Sequence, residues 1–408
     1  MAPDPQRPLH ILLASSLYPP LATGGAELVA QYLAEELVRR GHRVTVVSTC
    51  PKGDEAEAEE RNGVEVIRFF PRNLYWGYER RARPVAMRML WHVRDAWNTS
   101  AAERFGRIIR DNRPDVMHSH LTAGFSPAIW GMAKRADIPT VHTAHDYQIA
   151  CPRATLLTRR GSICTNPNIG CRAFRSWHLS RAGDIDVFCS PSRFLMDRFL
   201  ELGLKAGRTR VVNNGIPLPK ADPPRDRVGA KRLELLFVAR LSAEKGTLVV
   251  LDAMRRLPAD LPVHLTVMGK GPLEPAVKSA AINDNRISFR GYLQGEEKRR
   301  AFLNADGLML ASLWYETAGL VLLEAASHGV AVIATRMGGI PEFMVEGQTG
   351  LLVPPGDAEA LAVAIMRLAT DTDFRERCRL NGPPFARQFS LERMTDEYLE
   401  VYRSVVRK

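Results

Sequence analysis

Two carboxylates, two cations and a set of glycine-containing turns are the residues in this 408-residue sequence best suited to chemistry. Glu316 and Glu324 frame the stretch WYETAGLVLLEA, residues 314–325, with Gly319 and an apolar run of Leu320, Val321, Leu322 and Leu323 between them. Read as a single helix, their spacing is a little over two turns, so both carboxylates would point to one side. Such an apolar run reads as a helix packed on a sheet, where burying a carboxylate is costly unless it accepts hydrogen bonds. Sugar and ribose hydroxyls are donors of that kind. The alternative is structural: Glu316 is favoured by the dipole at a helix start, and Glu324 emerges at the solvated edge.

Arg240 and Lys245, in VARLSAEKG, follow an apolar strand pattern and precede a helix. Fixed positive charge beside unpaired backbone N–H groups makes a diphosphate site; otherwise the two are a solvated basic pair. Gly269, in MGKGP, follows another strand and would let backbone approach a base or phosphate closely, or make only a tight turn. Gly24 and Gly25 follow the first strand, where a ligand would lie, without the spaced-glycine pattern of a dinucleotide fingerprint. His145 ends a strand region, and His120 ends another and could line an acceptor pocket. His142, three residues before His145 and inside its strand, reads as a core residue.

The elements that must position these residues alternate along the chain. Apolar runs at 9–15, 44–48, 64–69, 116–118, 140–143, 186–190 and 210–213 read as strands, with helical patterns between them. One long helical region reaches about Asn112. Asn213-Asn214-Gly215 makes a turn, and Pro217, Pro219, Pro223 and Pro224 mark a linker. The pattern restarts with strands at 233–239, 264–268, 287–289, 308–311 and 330–334. The expected fold class is therefore α/β: two doubly wound, Rossmann-like parallel-sheet domains. The expected domains are 1–215, 216–390 and a C-terminal amphipathic helix, 391–408, after a loop containing Pro383-Pro384.

In this order along the chain, the elements GGAE (24–27), HTAHDY (142–147), NNG (213–215), RLSAEKG (240–246), ETAGLVLLEA (316–325), and GGIPE with GQTGLLVPPGD (338–357) resemble the retaining glycosyltransferases of family 4. The resemblance spans nearly the whole chain and implies the GT-B architecture, two Rossmann-like domains facing a cleft, with the C-terminal helix crossing back to the first. It also implies transfer of a hexose from a UDP- or GDP-linked donor to a hydroxyl of a glycan or lipid-linked acceptor, with the anomeric configuration kept. On the matching positions, Arg240 and Lys245 would hold the diphosphate, Glu316 would accept from hexose hydroxyls and Glu324 from ribose hydroxyls. Backbone N–H groups around Gly319 and Leu320 would add to the phosphate site, with Gly269 nearby. Gly25, beside Gly24, would bring the first domain's loop against the donor, and His145 would contact the donor sugar. The resemblance further implies same-face attack with no covalent nucleophile, no catalytic metal and no cofactor besides the nucleotide-sugar substrate. One departure is Ala318, where the family commonly has Phe before the glycine.

Composition sets wider bounds. The 45% hydrophobic and 25% charged content are those of a globular protein, and the formal charge of +11 favours an anionic partner. The first apolar run ends at Ser15, too short for a signal-peptide core, and no run reaches membrane-spanning length. The expectation is a cytoplasmic protein, at most peripheral at the inner face of a membrane. Residues 79–113 carry nine arginines against four acids, interleaved with Met87, Leu90, Trp91 and Trp97, which suits an anionic membrane surface, or else a solvated face with the tryptophans in the core. The pairs Asp184/Asp186 and Asp371/Asp373 read as surface carboxylates, and Cys151, Cys164 and Cys171 with His178 as a fourth ligand lack a zinc-finger spacing, with a structural metal there as the alternative. Two other readings are a starch- or sucrose-synthase-like enzyme of the same fold and a non-catalytic basic binding protein. No motif for nucleic-acid recognition is present, and none is expected as partner.

Overall fold

The computed structural model describes residues 7–21, 24–79, 81, 83–219 and 232–406, residue 57 by its backbone alone. Pro223 and Pro224 of the expected linker lie outside the described residues, as does Arg80. The chain divides into two compact units: Met1–Leu156, Thr165–Gly215 and Leu391–Lys408 form the first, and Leu157–Cys164 with Ile216–Ser390 the second.

In the first unit, β1 (His10–Ser15), β2 (Arg43–Thr49), β3 (Ala56–Arg61), β4 (Val64–Phe69), β5 (Val116–Leu121), β6 (Thr140–Thr143), β7 (Val187–Ser190) and β8 (Arg208–Val211) form one sheet. Its order is β3-β4-β2-β1-β5-β6-β7-β8, parallel throughout except at the β3 edge. The connecting helices are α1 (Gly25–Arg39), α2 (Val85–Ala96), α3 (Thr99–Asn112), α4 (Ala128–Arg135), α5 (Ile169–Arg181) and α6 (Arg193–Glu201). β3, read AEAEER, alternates only alanine with glutamate and was not expected as a strand; on an edge it needs no larger apolar side chains. The long helix expected up to Asn112 is two. Asn98 separates them: its side chain caps α3 by accepting from Ala101 N–H, while its amide donates to the Pro71 and Gly124 carbonyls.

The second unit has β9 (Leu233–Val238), β10 (Val263–Met268), β11 (Ile287–Gly291), β12 (Gly307–Leu310), β13 (Ala331–Thr335) and β14 (Gly350–Val353), all parallel in the order β11-β10-β9-β12-β13-β14. Its helices are α7 (Thr247–Arg256), α8 (Glu274–Asn283), α9 (Gly295–Leu303), α10 (Leu320–Ser327), α11 (Ala358–Thr370) and α12 (Thr372–Ala386). Successive strand residues serve opposite faces: Leu235, Phe237 and Ile333 join one core, Leu236, Val332 and Ala334 the other. That double burial is why these strands read as unbroken apolar runs.

Pro383-Pro384, expected in a loop, lies inside α12 instead. Close packing outweighs the lost N–H groups. A Cβ at the preceding Gly382 would stand 2.6 Å from the Ala326 carbonyl oxygen of α10, so the two helices meet backbone to backbone there. The last helix, α13 (Leu391–Val405), belongs to the first unit. Tyr398 and Tyr402 on it are fully buried, and Tyr402 Oη lies 2.7 Å from His118 Nδ1. Among the described residues, no helix is long and apolar enough to cross a membrane.

Candidate active site

Strand order in the second unit reverses between β9 and β12, the switch point outside whose carboxyl ends ligands of doubly wound sheets bind. The loops leaving those two strands carry Arg240 and Lys245 on one side and Ser312 and Glu316 on the other. Lys245 Nζ lies 2.6 Å from Glu316 Oε1, and Ser312 Oγ donates to the same oxygen at 2.5 Å. The ammonium also sits 4.7 Å from the centre of the Trp314 ring. Glu316 is 5% exposed, so its carboxylate is held by charge-assisted bonds where an unpaired one would be strongly disfavoured.

Two glycines let these loops close on each other. Gly246 has φ +71°, and a Cβ there would stand 1.9 Å from the Ala311 carbonyl oxygen at the end of β12. Gly338, the first residue of GGIPE, has φ +63°, and its Cβ would meet the Glu316 backbone at 2.4 Å. The adjacent Gly339 N–H donates to the Glu316 carbonyl at 2.7 Å. These contacts explain why the separated motifs contain glycine where they do.

Glu316 and Glu324 are not on one helix face, as the spacing suggested. α10 begins only at Leu320, capped by Gly319 with no side-chain bond, and Glu316 lies in the preceding loop. Residues 314–318 stay outside the helix, and the GGIPE backbone holds Glu316 in place. Glu324, on α10, has a separate partner: both its oxygens accept from Lys298 Nζ of α9 at 2.7 Å. Arg240 is exposed and paired with Glu244. Gly269 follows β10 and donates its N–H to the Gly291 carbonyl at 2.7 Å.

The first unit builds its own polar cluster. Gly24 caps α1 and Gly25 begins it, and burial pushes the Glu27 carboxyl in the first turn above its ordinary value. His145, just beyond β6, presents Nε2 to Nδ1 of His120 at 2.8 Å, with the two rings stacked. Burial lowers the His145 pKa to about 4, and His120 falls well below the ordinary imidazole value for the same reason, with His118 adding to it. His142 is a satisfied core residue as expected: Nδ1 lies 2.9 Å from Ser119 Oγ, which also accepts from the Trp130 indole.

The carboxylate pairs have structural work. Asp184 pairs with Lys134, Asp186 accepts from Thr140 N–H, and Asp371 caps α12. None of the six cysteines is in a disulfide, and His178 Nδ1 hydrogen-bonds to the Phe174 carbonyl, its ring stacked on Phe174. Among the described residues, no group of three or more His, Cys, Asp or Glu side chains is placed to hold a metal ion.

Residues 23–219 match the Glycosyltransferase Family 4 description, and residues 232–371 match Glycosyl transferases group 1. The chain is also 31% identical over 386 residues to a glycogen synthase of Mycobacterium tuberculosis, covering 90% of this chain and 88% of that one. The chain belongs to glycosyltransferase family 4. Among solved structures, sucrose-phosphate synthase from Thermosynechococcus elongatus superposes with a TM-score of 0.75 at 22% identity, covering 97% of this chain and 98% of that one. Anabaena HepE, solved in complex with UDP-glucose, gives 0.71 at 19% identity over 97% and 100%. These likenesses show the GT-B fold.

Three partners of the candidate residues were not found from sequence: Ser312, Trp314 as a cation platform, and Lys298. Lys298 sits in the charge run GEEKRR, which reads as a solvated helix face, and only the packing of α9 beside α10 turns it toward Glu324. Trp314 lies two residues before Glu316 in WYETAGLVLLEA, and that proximity was its available signal. The His120–His145 bond had a signal too, since both histidines were expected near strand ends.

Proposed function

We propose that this family 4 glycosyltransferase moves a hexose from a UDP- or GDP-linked donor to a hydroxyl of a glycan or lipid-linked acceptor, with retention, in the cytoplasm. The observation that carries the reading is the Lys245–Glu316 pair at the switch point of the second unit, a cation and a buried hydrogen-bond acceptor side by side. Lys245 and Arg240 hold the diphosphate, whose charge grows as the bond from the anomeric carbon to the phosphate oxygen breaks. Backbone N–H groups at Gly319 and Leu320 add to that site, and Gly269 keeps backbone near it. Glu316 accepts from hexose hydroxyls, and Glu324 from ribose hydroxyls while keeping Lys298. His145 and the Gly24–Gly25 turn keep the donor-side roles that the family resemblance implies.

The acceptor oxygen bonds to the anomeric carbon on the face the diphosphate leaves, and its proton passes to the departing phosphate oxygen. No side chain becomes covalently attached. Fixed cations do the electrostatic work, so no catalytic metal is assigned. A second reading, transfer to a soluble glucan, is supported by the likeness to glycogen synthase over most of both chains.

Product analysis by NMR tests the reaction. The donor identified by thermal shift should give product with the donor's anomeric configuration, at a rate unchanged by a chelator. Inverted product, or activity lost to chelation and restored by manganese, would overturn this part of the reading.

A further inference from the structure

The helix α2 wears its apolar side outward. At about 100° per residue, Val85, Met89, Val93 and Leu90 fall within one stripe of VAMRMLWHVRDA. They are 56%, 65%, 70% and 56% exposed. The opposite side is the one that packs: Trp91 is buried, and its indole donates to the Tyr75 carbonyl at 2.9 Å. A water-soluble surface helix has the reverse arrangement, so the stripe is apolar area that the described residues leave uncovered.

Charge says what covers it. On the same helical wheel, Arg88 lies beyond one edge of the stripe and Arg94 beyond the other, both exposed. Arg72 and Arg81, also exposed, precede the helix, while the stripe itself holds no acid. Cations along both borders of an outward apolar stripe are the pattern of a helix lying in a membrane interface, apolar side chains among the acyl chains and guanidinium groups at the phosphates. At the C-terminal end of α2 an aromatic pair is also partly exposed: the rings of Trp97 and Trp177 meet edge to face at 5.6 Å under the Arg181 guanidinium. Tryptophan beside arginine is suited to headgroup depth.

We propose that α2 lies in the surface of an anionic lipid bilayer, docking the first unit on the membrane through Val85, Met89, Leu90 and Val93 with Arg88 and Arg94 at the phosphates. This deepens the lipid-linked branch of the proposed function by saying where the protein meets lipid. A second copy of the chain fits less well, because an isologous contact would set the arginines of one copy's border against those of the other.

The test is co-sedimentation of the full chain with vesicles of equal parts phosphatidylcholine and phosphatidylglycerol, against vesicles of phosphatidylcholine alone. The wild type should sediment with the anionic vesicles at least about tenfold more strongly, and less so as salt rises. Met89→Asp with Val93→Asp should reduce that binding about tenfold or more, and Arg88→Glu should weaken it about tenfold. Because these side chains are exposed, far-UV circular dichroism and the melting temperature should not change. Thermal shift by the donor nucleotide should not change either, which separates this inference from the donor-site reading. Absence of vesicle binding by the wild type overturns the proposal, as does unaltered binding by the Met89/Val93 variant. A wild-type dimer that this variant converts to monomer, with neither binding vesicles, would give the stripe to a second copy and also overturn it.

Discussion

Lys245, Ser312 and Glu316 explain one another: the carboxylate is kept inside the protein by a cation and a hydroxyl, and the cation is aimed by the carboxylate and the Trp314 ring. Glu324 has a different partner and a different position, so the two glutamates should fail differently. Glu316→Ala is expected to lower turnover about a hundredfold with little loss of nucleotide affinity, and Glu324→Ala to weaken nucleotide binding about tenfold with a smaller effect on turnover. Steady-state kinetics with calorimetric titration of the nucleotide checks both; equal effects would mean the roles are misassigned. At His145, burial disfavours the imidazolium and sets the pKa at about 4, below the unfolded value of 6.5. As pH falls through that interval the unfolded chain takes up the proton first, so stability gained by keeping the ring neutral is complete above about 6.5 and lost toward 4. Ring NMR should find His145 neutral from about pH 5 upward, whereas a midpoint near 6.5 would show an exposed ring. The chemical residues were legible in the sequence because their types are unusual beside apolar runs. Lys298 and Ser312 were not, since a lysine in a charge run and a serine in a loop gain meaning only from what packs beside them.

At the scale of elements, most strands were visible because a sheet covered on both faces makes unbroken apolar runs. The misses have specific causes. β3 is charged and sits at an edge, and β14 is only four residues long, with a short apolar run flanked by glycine and proline. A single helix through Glu316 and Glu324 is not formed, because spacing alone cannot show that α10 starts at Leu320. The loops around Glu316 depend on glycine for close approach, which gives an element-level test. Gly246→Ala would place a methyl against the Ala311 carbonyl at a backbone angle that disfavours side chains. It should cost about 2 kcal/mol or more in denaturant unfolding and displace Lys245, weakening nucleotide binding along with stability. Wild-type stability in that variant would mean the loop is free to move.

For the whole molecule, the alternation of strands and helices announced two doubly wound sheets, and the family motifs named candidate residues in the loops around them. The membership of α13 in the first unit could not be read from an amphipathic pattern, which says that a face is buried and not against what. Tyr398 and Tyr402 supply the answer through Thr143 and His118. The exposed stripe on α2 was likewise only half legible: the arginines and apolar residues were evident, but which side faced the protein required Trp91 to be seen buried. The central claim is that the switch point of the second sheet binds a nucleoside diphosphate through Lys245. Calorimetric titration of UDP and GDP into the wild type and Lys245→Ala tests it most directly. One nucleotide should bind the wild type, and at least about tenfold more weakly the variant. Failure of both to bind the wild type at millimolar concentration, or equal binding by the variant, would contradict the account.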